Sequence, residues 1–84
     1  MVLVVSYSRR GAKDVAGLQP SLRDRALRRL NAYAEAPEAL HHDVVHLVGT
    51  EDYRLRVGDW RVVFRISGER LEVLRVRHRR EVYR

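Results

Sequence analysis

Apolar positions recur with two different periods along this chain of 84 residues, and the change of period divides it. Val2 to Tyr7 is an almost continuous apolar run with β-branched residues, which predicts a buried strand. From Ser8 the spacing lengthens. Ser8 suits an N-cap, Ala12, Val15 and Ala16 form a short helical stripe, and Gly17 is placed to close it in a left-handed conformation. Gly11 works against this helix. Pro20 opens a second helix, along which Leu22, Ala26, Leu30 and Tyr33, with Leu27 and Ala34, recur at spacings of three and four. Arg23, Asp24, Arg25, Arg28 and Arg29 lie off that stripe, and Pro37 ends the helix. The Gly-Leu-Gln-Pro corner between the two predicts an antiparallel helical hairpin.

Glu38 to Asp43 is a linking loop, and after it the period falls to two. Strands are expected at Val44 to Val48, Tyr53 to Val57, Trp60 to Ile66 and Arg70 to Arg77, with a turn over Gly49 to Asp52. The whole chain, 1–84, is one α+β domain: an N-terminal strand, a helical hairpin, then a mostly antiparallel sheet of three to four strands.

Gly58-Asp59 is a two-residue loop with glycine first, the pattern of a type II′ hairpin, and it fixes the register. Val57 then faces Trp60, Arg56 faces Arg61, Leu55 faces Val62 and Tyr53 faces Phe64. The apolar set, Trp60 included, forms the core face, and Arg54, Arg56, Arg61 and Arg65 share the other. A three-residue loop over Ser67 to Glu69 pairs Val62 with Leu74, Trp60 with Val76 and Arg61 with Arg75. Arg56, Arg61 and Arg75 then stand side by side on three strands. Like charges directly opposite each other disfavour a sheet. A phosphate offsets that repulsion, because arginine grips it through two hydrogen bonds. The row therefore suggests an anion site.

Charge strengthens this picture. Residues 53–84 hold ten arginines against Asp59, Glu69, Glu72 and Glu81, while residues 1–52 are balanced, so the whole net charge of +6 sits on the hairpin system. Clustered positive charge points to a polyanion, nucleic acid first and an acidic protein second. The chain has no cysteine, which excludes disulfides, zinc ribbons and thiol catalysis and fits a cytoplasmic protein. The first apolar run is too short for a secretory signal or a membrane span. His42 and His46 are four apart but fall on a loop and a strand, so no metal site and no cofactor is expected. Beyond the last strand, His78-Arg79-Arg80-Glu81-Val82-Tyr83-Arg84 adds an imidazole, guanidiniums, a carboxylate and a phenol.

The order of elements, with YRLRVGDWRVVF followed by HRREVYR, resembles the RelE/ParE toxins of type II toxin–antitoxin modules, and is closest to the RelE branch. The resemblance implies a microbial RNase-like fold and a ribosome-dependent mRNA endonuclease acting in the A site. It further implies metal-independent attack of the ribose 2′-OH on the adjacent phosphate. In the family, two basic residues precede the Gly-turn, matched here by Arg54 and Arg56, and the arginine beyond the turn that contacts the scissile phosphate matches Arg61. The family's C-terminal basic residue matches His78, Arg79 or Arg80, and its substrate-stacking tyrosine matches Tyr83. Relatives often carry lysine where Arg54 and Arg56 stand. Arginine is a poor proton acceptor, so these two are assigned to electrostatic stabilisation, and His78, with Glu81 as an alternative, to proton transfer. Catalytic roles thus fall to Arg56, Arg61, His78 and Tyr83, and substrate binding to Arg54, Arg75, Arg77, Arg79 and Arg80. The expected partners are a cognate acidic antitoxin, the ribosome and mRNA, with no membrane. Two further readings stay open: a ParE-like inhibitor of DNA gyrase, and an RNA-binding relative without turnover.

Overall fold

A computed structural model describes residues 2–82. The elements in chain order are β1 (Val4–Tyr7), α1 (Arg9–Ala16), α2 (Pro20–Glu35), β2 (Val44–His46), β3 (Asp52–Val57), β4 (Trp60–Ser67), β5 (Arg70–His78) and α3 (Arg79–Val82). The five strands form one sheet in the order β1-β5-β4-β3-β2, with β1 parallel to β5 and every other pairing antiparallel. The α+β class and the N-terminal strand agree with the sequence pattern. Among the described residues, no helix is long and apolar enough to cross a membrane.

One face of the sheet is apolar. Leu55, Val57, Val62, Phe64, Leu71, Val73 and Val76 are buried there against Ala26, Leu30, Tyr33 and Ala34 of α2. Phe64 stacks on Tyr53 and tilts against Tyr33, with ring centroids 5.6 and 5.3 Å apart. The period-two and period-3.6 stripes thus meet in a single core.

Strand β1 departs from expectation. It is an edge strand with Val4 63% exposed, because only β5 pairs with it, whereas Leu3 just before it is buried and donates its N–H to Ala34 O. Ser8 caps α1 as its residue type implies. Its Oγ accepts from Gly11 N at 2.9 Å, and its own hydroxyl donates to Leu74 O at 3.1 Å. Gly11 weakens the helix locally but is needed for packing: a Cβ there would collide with the Val73 carbonyl, so glycine lets α1 close on β5. Gly17 is not left-handed; its φ is −83°, and its N–H continues the right-handed turn by bonding Lys13 O and Asp14 O. The short link that follows buries Leu18 before Pro20 starts α2.

The first hairpin has the expected register throughout, from Tyr53 opposite Phe64 to Val57 opposite Trp60. Gly58 has φ +59° and no non-glycine residue among those described, Asp59 included, has positive φ, which fits a II′ turn and excludes I′. The second hairpin does not match. Ser67 faces Arg70 across a two-residue turn at Gly68-Glu69, and the register shifts between Val63 and Phe64. Phe64 faces Val73, Val63 faces Arg75, and Leu74 is the extra residue of a bulge. The physical reason lies in the core. A three-residue loop without a bulge places Glu72 opposite the fully buried Phe64, whereas the bulge brings Val73 there and still returns Val76 to the apolar face. Consequently Val62 faces Val76 rather than Leu74, Trp60 faces His78 rather than Val76, and Arg61 faces Arg77 rather than Arg75.

Candidate functional site

The row of like charges exists, with one member exchanged. Arg56, Arg61 and Arg77 are directly opposite one another on β3, β4 and β5, on the face away from the core. Arg75, expected in the row, faces Val63 instead. Its Nε donates to Asp14 Oδ2 at 2.9 Å, and the same oxygen accepts from Val76 N at 3.0 Å. This carboxylate closes the edge of β5 beyond Val73, where β1 has ended at Tyr7, so Arg75 is committed to the fold. Burial alone pushes the Asp14 carboxyl up. The Val76 N–H, the Arg75 guanidinium and the charge of Arg10 outweigh burial, and the net shift is downward from the ordinary carboxylate range.

Each guanidinium of the row is held differently. Arg61 Nη1 donates to the carbonyls of Gly58 and Trp60, at 2.8 and 2.9 Å. Arg56 lays one edge on Asp43 Oδ1, through Nε at 3.1 Å and Nη2 at 2.8 Å. Arg77 Nε is buried with no hydrogen-bond acceptor among the described residues; the Glu81 carboxylate approaches it only to 3.5 Å. An orphaned buried donor is costly unless something arrives to satisfy it.

The sheet end is widened by elements beyond the strands and the tail. Arg25 and Arg29, four apart on α2, join Arg56, Arg61 and Arg79 around a depression of about 440 Å³, with Asp43 and the Gly58-Asp59 turn completing its wall. Arg25 Nη2 lies 2.9 Å from where a Gly58 Cβ would stand, so glycine serves both the turn and the approach of Arg25. A smaller depression of about 260 Å³ adjoins it, lined by Arg54, Arg56 and Arg61 with His42, Asp43 and Val45. The signal for Arg25 and Arg29 was present in their i,i+4 spacing beside the apolar stripe. Asp43 gave none, being a lone carboxylate at the end of a loop.

The tail residues divide. Arg79 donates its N–H to Asp59 O at 2.7 Å, and its Nε stands 3.8 Å from the Asp59 carboxylate. Arg80 is exposed, and its N–H bonds His78 Nδ1 at 3.3 Å. His78 is opposite Trp60, with the rings edge-on at 5.5 Å. It therefore stands at the same end of the sheet as Arg61 and Arg77 but on the Trp60 side. Tyr83 lies outside the described residues. The loop histidines are dispersed: His41 Nε2 is 2.6 Å from Ala36 O, and His46 Nε2 is 2.8 Å from Thr50 O.

A wide, open, polar surface with five arginines suits an extended polyanion better than an enclosed small molecule. The family model described as "ParE toxin of type II toxin-antitoxin system, parDE" matches residues 5–83. No curated protein matches the chain. Among solved structures, the archaeal RelE–RelB complex of Pyrococcus horikoshii is similar at 25% identity and TM-score 0.77, over 94% of this chain and 97% of that one. A free, mutant form of the Escherichia coli toxin RelE is 20% identical with TM-score 0.80, over 99% and 92%. The YoeB/ParE toxin of Agrobacterium tumefaciens is 19% identical with TM-score 0.74, over 90% and 98%.

Proposed function

This chain belongs to the RelE/ParE superfamily, the toxins of type II toxin–antitoxin modules, and from that premise we propose that it is a ribosome-dependent endoribonuclease that cuts mRNA in the A site. The observation that carries this reading is the row Arg56, Arg61 and Arg77, three cationic side chains set opposite one another where folding alone disfavours them.

In the proposed reaction the ribose 2′-OH attacks the neighbouring phosphorus without a metal. The 2′-O–P bond forms as the P–O5′ bond breaks, giving a 2′,3′-cyclic phosphate and a 5′-OH. The 2′-OH proton leaves to a base and the 5′ oxygen takes one up. Arg56 and Arg61 stabilise the charge that builds on the phosphoryl oxygens. Arg77, directly opposite Arg61, takes the place in the row first given to Arg75. Arg54, Arg79 and Arg80 hold the flanking backbone, and Arg25 and Arg29 extend that hold onto α2. Proton transfer is assigned to the imidazole of His78, reaching round the sheet end from the Trp60 side, with Glu81 beside Arg77 as the nearest tail carboxylate. Tyr83 stacks on the substrate. The partner in the cytoplasm is an acidic antitoxin that covers the basic sheet end.

A second reading, inhibition of DNA gyrase, is favoured by the ParE description of the matching family. Primer extension on mRNA from arrested cells separates the two. Cuts confined to translated codons support the nuclease; intact mRNA with broken DNA supports the gyrase reading.

A further inference from the structure

We propose that Asp43 is a positioning residue for the candidate site: it fastens one edge of Arg56 and one nitrogen of Arg29, so that their remaining N–H groups face a phosphodiester. The proposal rests on the nuclease reading for the identity of that phosphodiester.

Asp43 ends the loop between α2 and β2 and is itself fixed. Its carbonyl accepts from Arg56 N at 2.8 Å, extending the β2–β3 ladder by one bond. Upstream, Val44 N donates to His41 O, and the His41 ring sits edge-on to Tyr33 of α2 at 4.8 Å. The loop is thus tied to both helix and sheet. From this base the two carboxylate oxygens point to different elements. Oδ1 takes Arg56 Nε and Nη2 from β3; Oδ2 takes Arg29 Nη1 from α2 at 2.9 Å. The same Arg29 Nη1 also donates to Arg56 O at 3.3 Å.

Counting donors shows what remains. A guanidinium has five N–H groups. Among the described residues, Arg56 spends two on Asp43, and Arg29 spends its Nη1 pair on Asp43 and the Arg56 carbonyl. Three N–H groups remain on each. The Arg56 side chain is 62% exposed and that of Arg29 45%, so those groups meet solvent at the depression. An exposed ion pair adds little to stability. Its effect on geometry is larger, because flexible cations are set in one orientation before the substrate arrives.

The test uses the full chain with Asp43→Asn, and Glu69→Gln on the distant second hairpin as a control of equal charge change. Three quantities are read: affinity for a fluorescent single-stranded RNA oligonucleotide, cleavage of mRNA on programmed ribosomes across pH, and the Arg Nε–Hε NMR signals. Removing the carboxylate is expected to leave RNA affinity equal or tighten it by ~2–5-fold, since a negative charge is lost beside the phosphate. Cleavage is expected to slow by ~10–100-fold, the cost of misplaced catalytic groups, with an unchanged pH profile. The Arg56 Nε–Hε signal should broaden, and the control should change none of these.

Affinity and rate falling together would mean that Asp43 supports binding only, and would overturn the proposal. Loss of the acidic limb of the pH profile would make Asp43 the proton acceptor, which also overturns it. If the wild-type chain cuts no RNA, the nuclease reading falls by itself. Positioning is then decided by NMR: a sharp Arg56 signal in the wild type that persists with RNA bound and is lost in Asp43→Asn upholds it, and equal signals in both proteins sink it.

Discussion

The two ends of the charged sheet face each centre on an arginine of β4, flanked by β3 and β5, and are wired in opposite ways. At one end Arg65 of β4 lies between Asp52 of β3 and Glu72 of β5, and its Nε bonds Asp52 at 2.8 Å. The Asp52 hydrogen bond and charge push the Arg65 pKa further up. At the other end Arg61, also on β4, lies between Arg56 and Arg77. Among the described residues, the opposite charges paired with that second row come from outside the sheet, Asp43 from a loop and Glu81 from α3. Cross-strand complementarity holds the first end together. The second end leaves donors for a ligand.

The comparison breaks most sharply at Arg61. Arg61→Ala is expected to lower cleavage by ~100-fold or more, as loss of a preorganised charge-stabilising donor does, and to relieve growth arrest. Arg65→Ala is expected to leave arrest intact and lower the melting temperature slightly. Equal effects from the two substitutions would erase the distinction between the ends.

An intermediate effect is expected at Asp14, which serves the fold through Arg75 and Val76. Asp14→Ala should cost about 1–3 kcal/mol in urea unfolding, the range for leaving buried partners unsatisfied, with any surviving activity unchanged per folded molecule. The pH sign follows from the lowered carboxyl pKa. The contribution is present above the unfolded-state value near ~3.9, and it is lost as pH falls through the lower folded value. The variant should therefore unfold with a shallower acid limb than the wild type; identical acid limbs would count against this role.

The smallest change in stability is the most pointed. Arg61→Glu copies the wiring of the Arg65 end into the middle of the basic row. It should raise stability by ~0.2–1 kcal/mol, the worth of a cross-strand pair, while abolishing activity. A destabilised variant would show that the row is not frustrated.

How far the sequence reached depended on what set each feature. Gly58-Asp59 pins the first hairpin locally, so Arg56 opposite Arg61 was legible from the chain alone. The second hairpin carries its bulge in the spacing itself, since Leu71-Val73 and Leu74-Val76 are out of phase. A strict alternation rule passes over that break and puts Arg75 where Arg77 stands. The tertiary contributions were out of reach. Arg25, Arg29 and Asp43 come together because α2 crosses the sheet above the Gly58 turn, and no local period encodes that crossing. Ser8 as a cap and Pro20 as the first residue of α2 were legible because their chemistry is local; the close approach of Gly11 to Val73 was not.

The parallel pairing of β1 with β5 has a consequence for timing. Val4 waits for Arg70, and Ser8 for Leu74, a separation of 66 residues. β1 has no neighbour until β5, made well after it, is free to slide in beside it. Pairings this distant form late. Arg77 and the groups beyond it arrive on that same last strand. A chain still lacking β5 therefore has neither a partner for β1 nor a complete cationic row, so one late strand closes the sheet and completes the charged surface together.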